Sequence, residues 1–319
     1  MSPLEAFISF SITVIGPVLL LIVAGYGFYR QGLLDDSFVE KASRLIFNYA
    51  LPALLFVNIS ISDISALTEV KTIGIGISGT LIVCAGFLVW VHFWVPNRLN
   101  KGVIVQGAFR SNMGIIGLAY CANAYGSEGL AYASIFLGAL TIVYNVLCVT
   151  LLNVYAGSTV NATRILKGII TNPIILSIIA GLSVSYYAVT LPTFISNSLG
   201  YFAQLTLPLA LLCTGAALRF RNLGSYWFLV LVTTVGKCII YPMVLVGLSL
   251  AFDVTGLSLG VVFLMATSPT AAASYVMVRK IGGNHQLAAQ IIAISTLASV
   301  PITIAGYYLM LQFTSIATA

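Results

Sequence analysis

The chain has 319 residues, of which 60% are hydrophobic and only 7% charged, with a formal net charge of +6. A soluble domain carries about 25% charged residues, so a water-covered globule is excluded and an integral membrane protein is expected. The 14 Lys and Arg residues are scattered singly or in pairs between apolar runs, which excludes a nucleic-acid surface.

Ten apolar segments follow one another, at about 7–29, 38–60, 70–95, 102–125, 129–156, 165–188, 191–218, 225–252, 256–278 and 286–312. Only helices and closed barrels satisfy the backbone in lipid, and barrel strands would alternate over about ten residues. Ten transmembrane helices are therefore predicted. The first segment has no basic leader or clear cleavage site and reads as a retained span rather than a signal peptide. In the third, Gly74–Gly79 spells GxGxxG, but no strand precedes it. The pattern reads as close packing by small residues, not dinucleotide binding.

The fourth segment is interrupted by Arg110, Ser111 and Asn112 in "AFRSNMGIIG". The ninth is interrupted by Ser268, Pro269 and Thr270 in "ATSPTAAASY". Proline within a helix removes a hydrogen bond and clashes with the preceding turn. In lipid, irregular backbone is tolerated only where protein or a water-filled cavity covers it. At 1.5 Å per residue Arg110 lies about 13 Å beyond Lys101, near the middle of a ~30 Å core. Helices 4 and 9 are thus predicted to be broken and to meet at mid-membrane. There, half-helix N-termini can face an anion and freed carbonyls a cation. The candidate binding residues are Arg110, Ser111 and Asn112 from the first break and Ser268, Pro269 and Thr270 from the second. Gln290, early in the tenth segment, and Lys237 join them. Arg110 and Lys237 are the deep charges, and such charges are functional by default. The functional reading is attraction for a carboxylate. The alternative is a cap on freed carbonyls, or snorkelling for Lys237.

Basic residues between the segments choose an orientation. Eleven (Arg30, Lys41, Arg44, Arg98, Lys101, Arg164, Lys167, Arg219, Arg221, Arg279 and Lys280) fall on one side, against Lys71 on the other. That side is predicted to be cytoplasmic, with both termini outside.

The chain also repeats itself. "GPVLLLIVAGY" (16–26) aligns with "NPIILSIIAGL" (172–182), and "YALPALLF" (49–56) with "LTLPLALL" (205–212), both at an offset of 156. One residue later in offset, Ser111 meets Ser268, Asn112 meets Pro269 and Gly126 meets Gly283. Two units follow, 1–156 and 157–319, each of five spans. An odd number of spans inverts the second copy, which predicts two inverted five-helix repeats, a transporter architecture with its site where the halves meet.

The eight acidic residues all lie in connections or near span ends. A mid-membrane carboxylate relay is not expected, and a Na⁺ site would need neutral ligands. His92 and His285 lack metal-ligand spacing, no HExxH or GxSxG occurs, and neither a cofactor, a metal nor an enzymatic activity is expected. The five cysteines have no CxxC spacing and read as buried, unpaired thiols.

"LIFNYALPALLFVNI", "QGAFRSNMGIIGLAY", "TNPIILSIIAGL" and "ATSPTAAASYVMVRKIGGN" resemble the auxin efflux carrier family, which includes plant PIN-type carriers and bacterial permeases. The resemblance covers nearly the whole chain and implies two crossing broken helices that bind a small organic anion, with Asn112 at the place of the family's crossover asparagine. It also implies a dimerising scaffold of spans 1, 2, 6 and 7 and a moving half of spans 3–5 and 8–10. Ser111 stands where the plant-type crossover has proline, Arg110 precedes it, and the linker at about 157–163 is short. These departures favour a permease of the bacterial inner membrane. The reading is a secondary carrier working by alternating access, with an anion channel or a sodium-coupled bile-acid-type symporter as alternatives.

Overall fold

The computed structural model describes residues 3–62, 70–218 and 226–313. Of the predicted topology markers, Arg219 and Arg221 lie outside the described residues, as do the acidic Asp63 and Glu69. Among the described residues the chain is all helix, with one isolated antiparallel bridge.

Twelve helical stretches carry the description: α1 (Glu5–Arg30), α2 (Asp36–Ser60) and α3 (Val70–Trp94), α4 (Arg98–Phe109), α5 (Met113–Ala156), α6 (Ala162–Ile170), α7 (Pro173–Tyr186), α8 (Thr193–Ala216) and α9 (Trp227–Ala251), α10 (Gly256–Thr267), α11 (Ala273–Ile281) and α12 (His285–Gln312). Seven of these (α1, α2, α3, α5, α8, α9 and α12) are long and apolar enough to cross a membrane. Of the ten predicted spans, of which the fourth and ninth are expected to be broken, seven appear as long apolar helices, for identifiable reasons. Segments four and nine break, as their polar interruptions require. Segment six, predicted over 165–188, is split at Asn172, whose side chain accepts from Ile174 N at 2.9 Å while Pro173 opens α7. An Asn cap followed by Pro in the first turn is a helix start, and the apolar run across it concealed that signal.

Segments four and five are joined in α5. A straight helix of 44 residues would be about 66 Å long, twice the bilayer core. The run bends at Gly126, whose φ of 59° and ψ of −144° are open only to glycine. The bend falls between the two predicted segments.

Proline shapes three of the long helices. Pro17, Pro52 and Pro242 each follow a π-helical turn, at Ser11–Ile15, Ile46–Ala50 and Gly236–Ile240. With no N–H at the proline, the ladder shifts from i−4 to i−5 bonding there.

The α1·α8 and α2·α7 pairs are among the most extensive packings. They close through glycine: a Cβ on Gly25 would enter the backbone of Leu212, and one on Gly181 would lie 3.1 Å from the Phe56 carbonyl oxygen. Gly25 and Gly181, like Phe56 and Leu212, stand 156 residues apart, so one contact recurs at the sequence offset. The GxGxxG stretch also packs: Cβ atoms on Gly76 and Gly79 would meet Phe136 and Leu245 side chains.

Candidate functional site: two helix breaks that pair

α4 ends at Arg110, which turns to φ −74°, ψ 93°. α10 ends at Ser268, at φ −57°, ψ 142°. Both residues are extended, so each segment leaves its helix as a short extended stretch. The two stretches meet antiparallel, with Ser111 bridged to Thr270. Asn112 N donates to Pro269 O at 2.7 Å, and Ala271 N donates to Arg110 O at 2.9 Å. The broken helices therefore satisfy each other's freed backbone groups, the condition for irregular backbone in an apolar interior.

The bonds also reveal the register. The sequence offset of 157 sets Asn112 opposite Pro269, and these two are bonded partners. The equivalent of Asn112 in the matching bond is Ala271, 159 residues on. The bonds thus relate the two breaks at an offset of 159, two more than the 157 of the sequence alignment.

Five predicted residues (Arg110, Ser111, Asn112, Pro269 and Thr270) come together directly. Thr270 is buried and bonds twice: its Oγ1 donates to Gly107 O at 2.8 Å, and its N–H donates to Ser295 Oγ at 3.2 Å. The hydroxyl thereby caps a carbonyl in the last turn of α4. Ser268 does a similar task for its own helix, donating to Met265 O at 2.8 Å. The Asn112 carbonyl accepts from Ile116 N and Gly117 N, both at 3.1 Å, starting the half-helix that follows. Its carboxamide, on a residue only 6% exposed, caps nothing. Among the described residues the buried Ser111 Oγ makes no hydrogen bond, although the Tyr144 hydroxyl lies beside that residue. Gln106 Oε1, Thr234 Oγ1 and Ser274 Oγ are likewise buried and unbonded. Such groups are costly unless a polar ligand or water meets them.

The two deep cations differ. Arg110 is half-buried; its Nη1 donates to Met277 Sδ at 2.6 Å and its guanidinium neighbours Cys148. Among the described residues it makes no ion pair. Lys237 is fully buried, and its Nζ donates to Ala266 O at 2.6 Å, in the last turn of α10. The ammonium also sits 4.7 Å from the centroid of the Tyr241 ring. Gln290 is buried early in α12, five residues before Ser295.

Sequence reasoning missed a run of hydroxyls beside the crossing. Tyr144 and Tyr241 are bonded at 2.8 Å, and Tyr241 meets Thr80 Oγ1 at 3.0 Å. All three are buried in apolar helices. A tyrosine in an apolar span is usually a packing residue, so a position in three dimensions was needed to single these out. Ser295 was missed for the same reason.

A cavity of about 460 Å³ lies elsewhere, between α1, α2, α8 and the Ala119–Leu130 part of α5. None of the eight predicted residues lines it. It begins at Ala119, about 10 Å along the half-helix from Asn112 at 1.5 Å per residue, and shows amides of Asn58, Asn123 and Gln204 in an otherwise apolar wall. All five cysteines are buried and free.

The family model described as "Membrane transport protein" matches residues 10–307. An "Uncharacterized transporter" of Methanothermobacter thermautotrophicus is 26% identical over 289 residues, 88% of this chain and 92% of its own. A "Putative malonate transporter" of Rhizobium meliloti is 25% identical over 304 residues, 91% of this chain and 95% of its own. With apolar helices that can span a membrane, two paired helix breaks and a family match over most of its length, this chain belongs to the membrane transport protein family, to which its motifs had pointed as auxin-efflux-carrier-like.

Proposed function

We propose that the protein is a secondary carrier for a small organic anion and works by alternating access. The observation that carries this reading is the crossing, where two broken helices share backbone bonds next to Arg110, a half-buried cation without an acidic partner among the described residues. A cation there costs at least ~2.5 kcal/mol on insertion scales, and a bound carboxylate relieves that cost through charge-assisted hydrogen bonds. Arg110, Ser111 and Asn112 supply charge, hydroxyl and carboxamide on one side. Ser268, Pro269 and Thr270 form the opposite wall, and Lys237 and Gln290 act from further out.

The architecture that serves this function is ten spans in two inverted repeats, 1–156 and 157–319. Helices 4 and 9 are broken and cross, both termini lie on the periplasmic side of a bacterial inner membrane, and the scaffold forms a homodimer. The recurrence of the Gly25–Leu212 approach as Gly181–Phe56 supports the repeat, and the two-residue pairing of the breaks supports the crossing. In this reading spans 1, 2, 6 and 7 form the scaffold, spans 3–5 and 8–10 move against it like an elevator, and the cavity between α1, α2, α8 and α5 lies on the sliding boundary.

The Rhizobium relative's name makes malonate, a dicarboxylate, the first substrate to test. Proteoliposomes loaded with unlabelled malonate should take up labelled malonate transiently above equilibrium. Uptake without such counterflow would instead identify an anion channel, and no uptake of any mono- or dicarboxylate in a panel would refute the organic-anion reading.

A further inference from the structure

The end of α10 is where the chain leaves its helix at Ser268, so its last carbonyls lose their helical partners. Side chains supply replacements: Thr267 Oγ1 donates to Phe263 O and Leu264 O, and Ser268 Oγ donates to Met265 O. The next carbonyl, Ala266 O, receives an ammonium instead, Lys237 Nζ at 2.6 Å. A helix C-terminus carries about half a negative charge, and the face of Tyr241 adds a second electron-rich surface 4.7 Å from the same nitrogen. Lys237 is 0% exposed and has no acidic partner among the described residues.

The first crossing is finished differently. There the carbonyl in the last turn of α4, Gly107 O, receives the neutral hydroxyl of Thr270. At the sequence offset of 157 the counterpart of Lys237 is Thr80, also neutral. Among the described residues, only the α10 end has a carbonyl bonded by a lysine brought in from another helix; Arg110, at the end of α4, turns its guanidinium to Met277 instead. In carriers built on broken helices, the carboxyl end of a half-helix is where a free coupling cation binds.

We propose that Lys237 is a tethered cation: its ammonium permanently holds the place at the carboxyl end of α10 that a free coupling cation would take, so the protein turns over without Na⁺. The inference rests on the carrier reading above. A lysine ammonium is a compact point charge with three donors, able to replace a small cation against carbonyl oxygen. Its four-carbon stem, rooted in the π-turn Gly236–Ile240 of α9, ties the charge to the helix that carries Tyr241.

The test needs no knowledge of the substrate. Purified wild-type protein is melted in NaCl, KCl and choline chloride at equal ionic strength, and binding of radioactive sodium is measured directly. The wild type should melt alike in all three salts and show no saturable sodium binding. Lys237→Ser removes the charge and leaves an oxygen at the vacated place; it should acquire saturable sodium binding and melt several degrees higher in NaCl than in choline chloride. Saturable sodium binding by the wild type overturns the proposal, as does a folded Lys237→Ser that ignores sodium. If that variant does not fold, wild-type malonate counterflow with Na⁺ replaced by choline decides: an unchanged rate supports the proposal and a several-fold loss overturns it. Failure of malonate counterflow in every salt would count against the substrate reading alone, because sodium binding is read without it.

Discussion

Thr270→Val tests whether the two broken helices hold each other in place. The Thr270 hydroxyl donates to Gly107 O at 2.8 Å, and the residue is 1% exposed. Valine keeps the branched shape and removes the donor. The loss is more than one net hydrogen bond of about 0.5–1.5 kcal/mol, because Gly107 O, in a helix whose carbonyl end is buried, is left without this partner; a stranded buried acceptor costs about 1–3 kcal/mol. At about 2–4 °C per kcal/mol for chains of 150–250 residues, thermal unfolding in detergent should fall by roughly 2–12 °C. Thr270→Ser, which keeps the hydroxyl, should recover most of the loss. Fluorescence-detected size exclusion after heating measures both variants on small amounts. Melting of Thr270→Val at the wild-type temperature would refute the claim that this bond braces the crossing.

Gly25→Ala places a methyl in the backbone of Leu212; forcing α1 from α8 should cost about 1–3 kcal/mol or more, while Gly27→Ala, with open space around it, should melt as the wild type does. Arg110→Lys keeps the charge but not the planar fork, so malonate affinity should drop, and Arg110→Gln should drop it further; equal affinity per folded molecule in all three would assign Arg110 to structure alone. Asn112→Ala should melt near the wild type, since the carboxamide caps nothing, yet lose substrate-induced thermal stabilisation; retained stabilisation would remove Asn112 from the site.

The breaks were legible because Arg, Ser, Asn and Pro are out of place in an apolar helix, and each residue type predicts its own disruption. The repeat aligned Gly25 with Gly181, but the close approaches they make, of α1 to α8 and of α7 to α2, were not read from it, because a glycine in an apolar run does not say which helix it will face. What Lys237 touches was not legible: Ala266 offers a carbonyl, and backbone atoms leave no trace in a side-chain pattern. The Tyr144–Tyr241–Thr80 run was hidden because hydroxyls on three separate helices share no spacing. The offset of 159 at which the breaks bond was hidden too, since alignment of apolar segments tolerates small slips. The cavity beside Asn58 and Asn123 has walls from four helices, and only folding gathers them.

The bond from Asn112 N to Pro269 O has a consequence for how the molecule is made. Its donor and acceptor are 157 residues apart, and at about 5–20 residues per second the ribosome needs roughly 8–30 s to deliver the second after the first. Throughout that interval the break in the first half has polar backbone that lipid cannot satisfy, each such group costing several kcal/mol. The newborn first half must therefore keep Arg110–Asn112 in contact with water or with the insertion machinery until its counterpart arrives. A ribosome-stalled chain ending before Pro269 should leave an Asn112→Cys thiol open to an aqueous maleimide, and synthesis of the remainder should close it.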